Sequence, residues 1–336
     1  MAASGLRFHL MLRINPITLI FIAISSLLSL YFIIAFGLIA SQRTIDLTDA
    51  NSISFDSISD HSRPLSALPP LRSVSGENGT TVRFRHLPGS SENTPLVIVI
   101  HGSGWHGGAY MEIASVLSEQ GGFDVLVPDL RGHGPAAERR GDVDYIGQLE
   151  DDLALLISAH GGDDRQVIMI GHSSGGGLIV RFAGGPHGKL LDRVVLLAPY
   201  LHHSAATFRD AGGGWAHPLV RRIIGLTMLN AVGITAFNDM TVIQFNFPAN
   251  VHDSPQGGAA TRAYSYRLNA SFNRRENYLS DISRLPEFLV IAGVEDDVFL
   301  AQQFEPVMSG ASQRGSYKLL PSTDHIGILH DRQAGS

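Results

Sequence analysis

One stretch constrains the chain more than any other: Gln166-Val167-Ile168-Met169-Ile170-Gly171-His172-Ser173-Ser174-Gly175-Gly176-Gly177. An apolar, β-rich run stops at Gly-X-Ser-X-Gly, and a helix-compatible segment, Leu178-Ile179-Val180-Arg181-Phe182-Ala183, follows. Gly171 and Gly175 lack Cβ atoms, so a strand and a helix can approach closely around a strained serine. This is the sequence form of a nucleophile elbow, with the hydroxyl of Ser173 projecting into a crevice. The five-residue pattern alone says little in a chain with 36 glycines. The rest of the sequence must supply a strand order, an oxyanion hole, a histidine and a carboxylate.

The 336 residues leave room for one large α/β domain plus an appendage, and 44% hydrophobic content is ample for a core. A formal net charge of −6, without a basic block, gives no reason to expect a nucleic-acid partner. There is no cysteine, which excludes disulfide frameworks, thiolate nucleophiles and Cys-ligated zinc. No cofactor and no metal is expected.

The N-terminus is a different material. No charged residue occurs from Ile14 to Gln42, and residues 17–40 are dominated by Ile, Leu, Phe and Ala. As a helix those residues would reach about 36 Å, enough for a hydrocarbon core of about 30 Å. A cleaved signal peptide is the rival reading, with Ala35-Phe36-Gly37 as a cleavage site. Its apolar region normally runs only about 7–15 residues, so an uncleaved anchor is preferred. Arg7 and Arg13 precede the segment and only Arg43 closely follows. That bias puts residues 1–16 in the cytoplasm and the catalytic domain on the far side of a single-pass membrane protein. Residues 41–70, mixing Ser, Asp, Thr and Pro, read as a linker.

Beyond it, strand and helix patterns alternate. Thr80 to His86 reads as an edge strand and Pro95 to Ile100 as one buried on both faces. A helix is expected over 109–120, a strand over 123–128, and a helix over 146–160. The elbow strand, then Arg193 to Pro199, Glu287 to Gly293 and Ser316 to Pro321 complete the set. Such alternation gives a mostly parallel sheet with helices on both faces, and ligands bind beyond the carboxyl ends of its strands. Residues 71–199 and 286–336 form this core. Residues 200–285 interrupt it and are assigned to an inserted lid, in which Leu219, Ile223, Ile224, Leu226, Met228, Leu229 and Val232 make an apolar, partly helical stretch beside Arg221 and Arg222. That stretch lines an acyl pocket, touches a bilayer, or packs down as ordinary cap core.

The candidate chemistry gathers at strand ends. After Ser173 the order of acid and base should be Asp or Glu, then His. Glu295, Asp296 and Asp297 follow one strand and His325 follows the last. His325 can take the proton of Ser173 while a carboxylate holds its ring; Asp296 is preferred, then Asp297, then Glu295. The backbone N–H groups of Ser174 and Ser103 are the candidate oxyanion donors. Asp129 and His133 are expected to fix loops rather than do chemistry, and His172 to pack beside the serine.

From about Pro95 onward the chain resembles the α/β-hydrolases, and within them is similar to the monoacylglycerol-lipase and lysophospholipase-like group. Leu96-Val97-Ile98-Val99-Ile100-His101-Gly102, Asp129-Leu130-Arg131-Gly132-His133-Gly134 and Gly171-His172-Ser173-Ser174-Gly175-Gly176 carry the resemblance. The group's Gly-X-X-Asp before the acid matches Gly293 to Asp296 and supports Asp296 over Asp297. Pro135-Ala136-Ala137 departs from the group's usual serine, and the inserted segment matches no lid of the group. The expectation is therefore a membrane-anchored serine hydrolase of acylglycerol, lysolipid or other medium-chain esters. A peptidase of the same fold, and an inactive membrane-tethered binding module, are the competing readings.

Overall fold

The computed structural model describes residues 15–47, 63–76, 79–162, 165–209, 214–273, 275 and 277–331. Residues 1–14 of the segment assigned to the cytoplasm and residues 48–62 of the linker lie outside them. The chain divides into two compact units, one of residues 1–43 with 219–237, the other of 44–218 with 238–336.

In the first unit, α1 (Pro16–Ala40) begins at Asn15, whose side chain accepts the Ile17 N–H, with proline in the first turn where a missing N–H costs nothing. It is long and apolar enough to cross a membrane, with a mean hydropathy of 2.6. Only Ala35 and Ile39 are buried. These two face α5 (Val220–Ala231).

The second unit is built on an eight-stranded sheet. Its strands are β1 (Arg72–Ser75), β2 (Thr81–Leu87), β3 (Leu96–Ile100), β4 (Asp124–Asp129), β5 (Val167–His172), β6 (Arg193–Leu197), β10 (Glu287–Gly293) and β11 (Gly315–Leu320). They lie in the order β1-β2-β4-β3-β5-β6-β10-β11. The pairs from β4 to β11 are parallel, while β2 runs antiparallel to both β1 and β4. Every residue of β3 is buried, as its uninterrupted apolar run requires of a strand covered on both faces. The helices α2 (Met111–Glu119), α3 (Gln148–His160), α4 (Ser174–Gly184), α8 (Tyr278–Ile282) and α9 (Phe304–Ser309) belong to this unit. Thr81–Leu87 is not an edge strand. The short, polar β1 pairs with it and takes the edge, and four residues of mixed Arg and Ser carry too little pattern to be read as a strand.

Between β6 and β10 the alternation stops, and a small antiparallel sheet forms from β7 (Ala216–Pro218), β8 (Thr241–Phe245) and β9 (Ala263–Ser265). A single helical turn, α6 (Ala249–His252), and the helix α7 (Tyr266–Phe272) accompany it. Trp215 stacks on Phe245, and Phe245 meets Tyr264 edge-on, so aromatic packing holds this insertion together.

Candidate active site

Ser173 stands between β5 and α4 with φ 53° and ψ −121°. That conformation costs an L-residue of order 1–3 kcal/mol, and the surroundings hold it. The Ser173 N–H donates to Leu197 O at 2.9 Å, and its carbonyl accepts from Tyr200 N–H at 2.9 Å. A Cβ on Gly171 would lie 2.6 Å from Ile179 Cδ1, and one on Gly175 would lie 2.5 Å from the carbonyl oxygens of Ile100 and His101. Glycine is thus required on both sides of the serine. Among the described residues only Ala198 and Ser322 share a positive φ without being glycine, and both follow strands of the same sheet, β6 and β11. Strain collects at the carboxyl edge, where ligands of such sheets bind.

His325 and Asp296 meet there. His325 Nδ1 lies 2.9 Å from Asp296 Oδ2, and the other carboxylate oxygen accepts the N–H groups of Val298 at 2.8 Å and Phe299 at 2.7 Å. Asp296 has no exposed surface, Asp297 is half-buried and Glu295 is exposed. Of the three acids, Asp296 is the one hydrogen-bonded to the imidazole. Burial opposes ionisation of Asp296, but His325 and the two N–H donors outweigh it and lower its pKa. Burial likewise opposes a charge on His325, and the Asp296 carboxylate overrides it, raising the pKa above the ordinary histidine value. The ring edge of His325 is also packed against Phe299, centroids 5.2 Å apart.

The turn after β3 supplies the remaining geometry. A Cβ on Gly102 would lie 3.2 Å from Ser173 Cβ, so this turn runs directly past the serine. Ser103 Oγ donates to Ser174 Oγ at 2.7 Å, tying the two candidate oxyanion residues together. The Gly102 N–H donates to Tyr110 Oη at 2.9 Å, and the Gly104 N–H to Tyr264 Oη at 2.5 Å. Two tyrosines therefore occupy the amides on either side of Ser103, while the described residues show no hydrogen bond to the Ser103 N–H itself.

Each tyrosine is anchored in turn by a histidine. His172 Nε2 lies 2.9 Å from His325 O, and a carbonyl can only accept, so Nε2 carries the hydrogen. Its Nδ1 therefore accepts from Tyr110 O–H at 2.9 Å. His133 Nδ1 donates to Arg131 O at 3.0 Å and its Nε2 accepts from Tyr264 O–H at 2.6 Å. Burial, with His325 nearby, drives the pKa of His172 down to about 3. Burial likewise lowers His133 well below the ordinary value and His101 to about 4. Asp129 accepts from Arg85 and from the Gly107 N–H, both at 2.9 Å, which fixes the loop after β3 to the end of β4. The tyrosines, and the bridging role of His172, carried no recognisable sequence signal, because Tyr264 lies 160 residues from its partner Gly104. Among the described residues no group of three or more His, Cys, Asp or Glu side chains is arranged to hold a metal.

Residues 91–332, more than half of the chain, match the Hydrolase_4 family, described as serine aminopeptidase, S33. An uncharacterised Mycobacterium tuberculosis protein is 30% identical over 140 residues, which cover 39% of this chain and 38% of that protein. A Caenorhabditis elegans protein described as a probable protein phosphatase methylesterase is 23% identical over 219 residues, 60% of this chain and 57% of that one. The chain thus spans well under two thirds of the curated relatives it matches. Among solved structures, a soluble variant of Saccharomyces cerevisiae monoglyceride lipase in complex with a substrate analogue superposes with a TM-score of 0.59 at 17% identity, covering 79% of this chain and 90% of that one. The chain belongs to the Hydrolase_4 family, and with it to the α/β-hydrolases.

Proposed function

We propose that the chain is a membrane-anchored serine hydrolase of carboxylic esters, with Ser173, His325 and Asp296 as its triad. The observation that carries this reading is the buried Asp296–His325 pair, tethered through the His325 carbonyl to His172, the chain neighbour of the strained Ser173. Ser173 Oγ attacks the ester carbonyl and His325 Nε2 takes its proton. Asp296 holds the Nδ1 hydrogen and stabilises the imidazolium. The N–H groups of Ser103 and Ser174 receive the oxyanion, an interaction worth about 3–4 kcal/mol per donor in comparable sites. His325 returns the proton to the departing alkoxide, and water, activated by the same ring, releases the acid from the acyl-enzyme. Among the described residues no hydrogen bond joins Ser173 to His325; such contacts commonly tighten when substrate is bound.

The apolar α1, and the arginines that precede and follow it, support an anchor with the hydrolase on the non-cytoplasmic side. The naming of relatives as a lipase and a methylesterase supports an ester, and an anchor beside lipid favours an acylglycerol or lysolipid. The description of the matching family as an aminopeptidase keeps a peptide substrate as the second reading.

The test is hydrolysis of nitrophenyl esters of increasing acyl length, beside aminoacyl nitroanilides, by the full chain in detergent and by Ser173→Ala. Ester cleavage and fluorophosphonate labelling are expected in the parent and not in the variant. Activity surviving the substitution rules out the serine mechanism, and faster anilide than ester turnover favours the peptidase.

A further inference from the structure

We propose that α5 and the turn after it form a second membrane element, a wedge inserted into the lipid leaflet at the C-terminal end of α1. This rests on α1 being the membrane span proposed above. The first unit pairs the two helices antiparallel. At the start of α5, the Arg221 N–H donates to Gln42 Oε1 at 2.7 Å, and its guanidinium to Ser41 O at 3.0 Å; Arg222 donates to Gln42 O. One turn further, Gly225 meets α1 so closely that a Cβ would lie 2.6 Å from Ala35 O and 2.7 Å from Ile39 Cγ1. Near the end of α5, Tyr31 Oη donates to Met228 O at 2.6 Å. Close approach through a small residue is how helices associate in lipid, where burial of apolar surface supplies no driving force.

The chemistry of α5 fits the same setting. No charged residue occurs from Ile223 to Asn238, while Arg221 and Arg222 precede this stretch and Asp239 follows it. Val220, Ile224, Val232 and Phe237 are exposed, so the unit presents an apolar surface. The polar Asn230 spends its amide on Leu226 O at 2.8 Å within its own helix. Gly233, with φ 82°, reverses the chain, and Phe237 returns to meet Phe36 edge-on.

Depth follows from the pairing. Tyr31 lies about 15 Å along α1 from Ser41. With the arginines in a headgroup layer about 6 Å thick, the end of α5 reaches about 9 Å into the acyl chains. The amides of Val232, Gly233 and Ile234 donate to the carbonyls of Leu229 and Asn230, so the turn satisfies these groups internally, as that depth requires. The guanidiniums of Arg221 and Arg222 donate to the carbonyls of Ser41 and Gln42, and the apolar surface of α5 supplies the contact with the acyl chains.

The absence of cysteine makes the test free of background. The full chain carrying Val232→Cys, Ile224→Cys, Leu27→Cys on α1 or the exposed Gln120→Cys is labelled with an environment-sensitive fluorophore. Each is reconstituted into neutral phosphatidylcholine vesicles containing lipids with a nitroxide either high on the acyl chain or near its methyl end. Emission at positions 232 and 224 is expected to be lost to the high nitroxide, at 27 chiefly to the deep one, and at 120 to neither. Quenching at 27 with none at 232 and 224 overturns the wedge and leaves the anchor standing. No quenching at 27 overturns the anchor and the wedge together.

Discussion

His172 and His325 lie with ring centroids 4.6 Å apart, and both are almost wholly buried, yet their proton affinities move in opposite directions. Burial penalises the charged ring in both. His172 has a phenol and a carbonyl as partners and falls to about 3, whereas His325 has a carboxylate and rises. The contrast extends across the site: His133, with Tyr264 on its Nε2, also falls. The partner, rather than burial, separates a histidine that can carry a proton from one that can only hold a turn in place. Around Ser103 the two kinds are adjacent, with neutral histidines steadying the tyrosines that flank its amide.

The comparison breaks hardest at the proton carrier. His325→Gln should lower kcat for a nitrophenyl ester by about 10⁶, as loss of a base that acts with its nucleophile does. Asp296→Asn should cost about 10⁴ in kcat, because the amide no longer enforces the productive tautomer. It should also move the acid limb of the pH–rate profile. His325 must be neutral to accept a proton, so activity falls as pH drops through its pKa, which Asp296 holds above the ordinary value of about 6.5. With the carboxylate gone, burial remains, and the limb should shift to lower pH. An unshifted limb would show that His325 owes its proton affinity to something else.

Smaller effects sharpen the contrast. Tyr264→Phe removes the acceptor for Gly104 and the donor to His133. At about 1 kcal/mol for a neutral hydrogen bond, kcat should fall about five- to tenfold. The acid limb should stay in place, since His133 does not titrate in that range; a moved limb would mean that Tyr264 acts on His325. Asp297→Asn should change kcat about twofold or less, the effect of about 0.5 kcal/mol, because its carboxylate bears on His325 through charge while Asp296 is the partner of the ring Nδ1. A loss as large as that of Asp296→Asn would reverse the assignment of the two acids.

Much of the site was legible because its signals are local. Gly171, Ser173 and Gly175 are spaced by the geometry of one turn, and His325 follows the last strand of a pattern that the apolar runs make visible. Asp296 and Asp297 are adjacent in sequence, and their different surroundings come from a loop that turns one carboxylate inward onto the Val298 and Phe299 amides. Only the resemblance of Gly293 to Asp296 to a family motif gave a reason to prefer the first. The apolar stretch after Arg222 was recognisable as unusual, but a helix that packs on a cap core and one that packs on an anchor have the same periodicity.

The sequence by itself thus determined the alternation of strand and helix, the strained serine between glycines, the placing of Ser173, Asp296 and His325 after successive strands, and a first helix long enough to span a membrane. These follow from local sterics and from periodicities of two and 3.6 residues, which neighbouring residues impose on one another. Tertiary structure alone decided that β1 covers β2, that Tyr110 and Tyr264 take the amides beside Ser103, and that α5 lies along α1 through Gly225. Each of these joins segments brought together by folding, and such contacts are chosen by packing and by the need of every buried donor for an acceptor, conditions that no single stretch of sequence records.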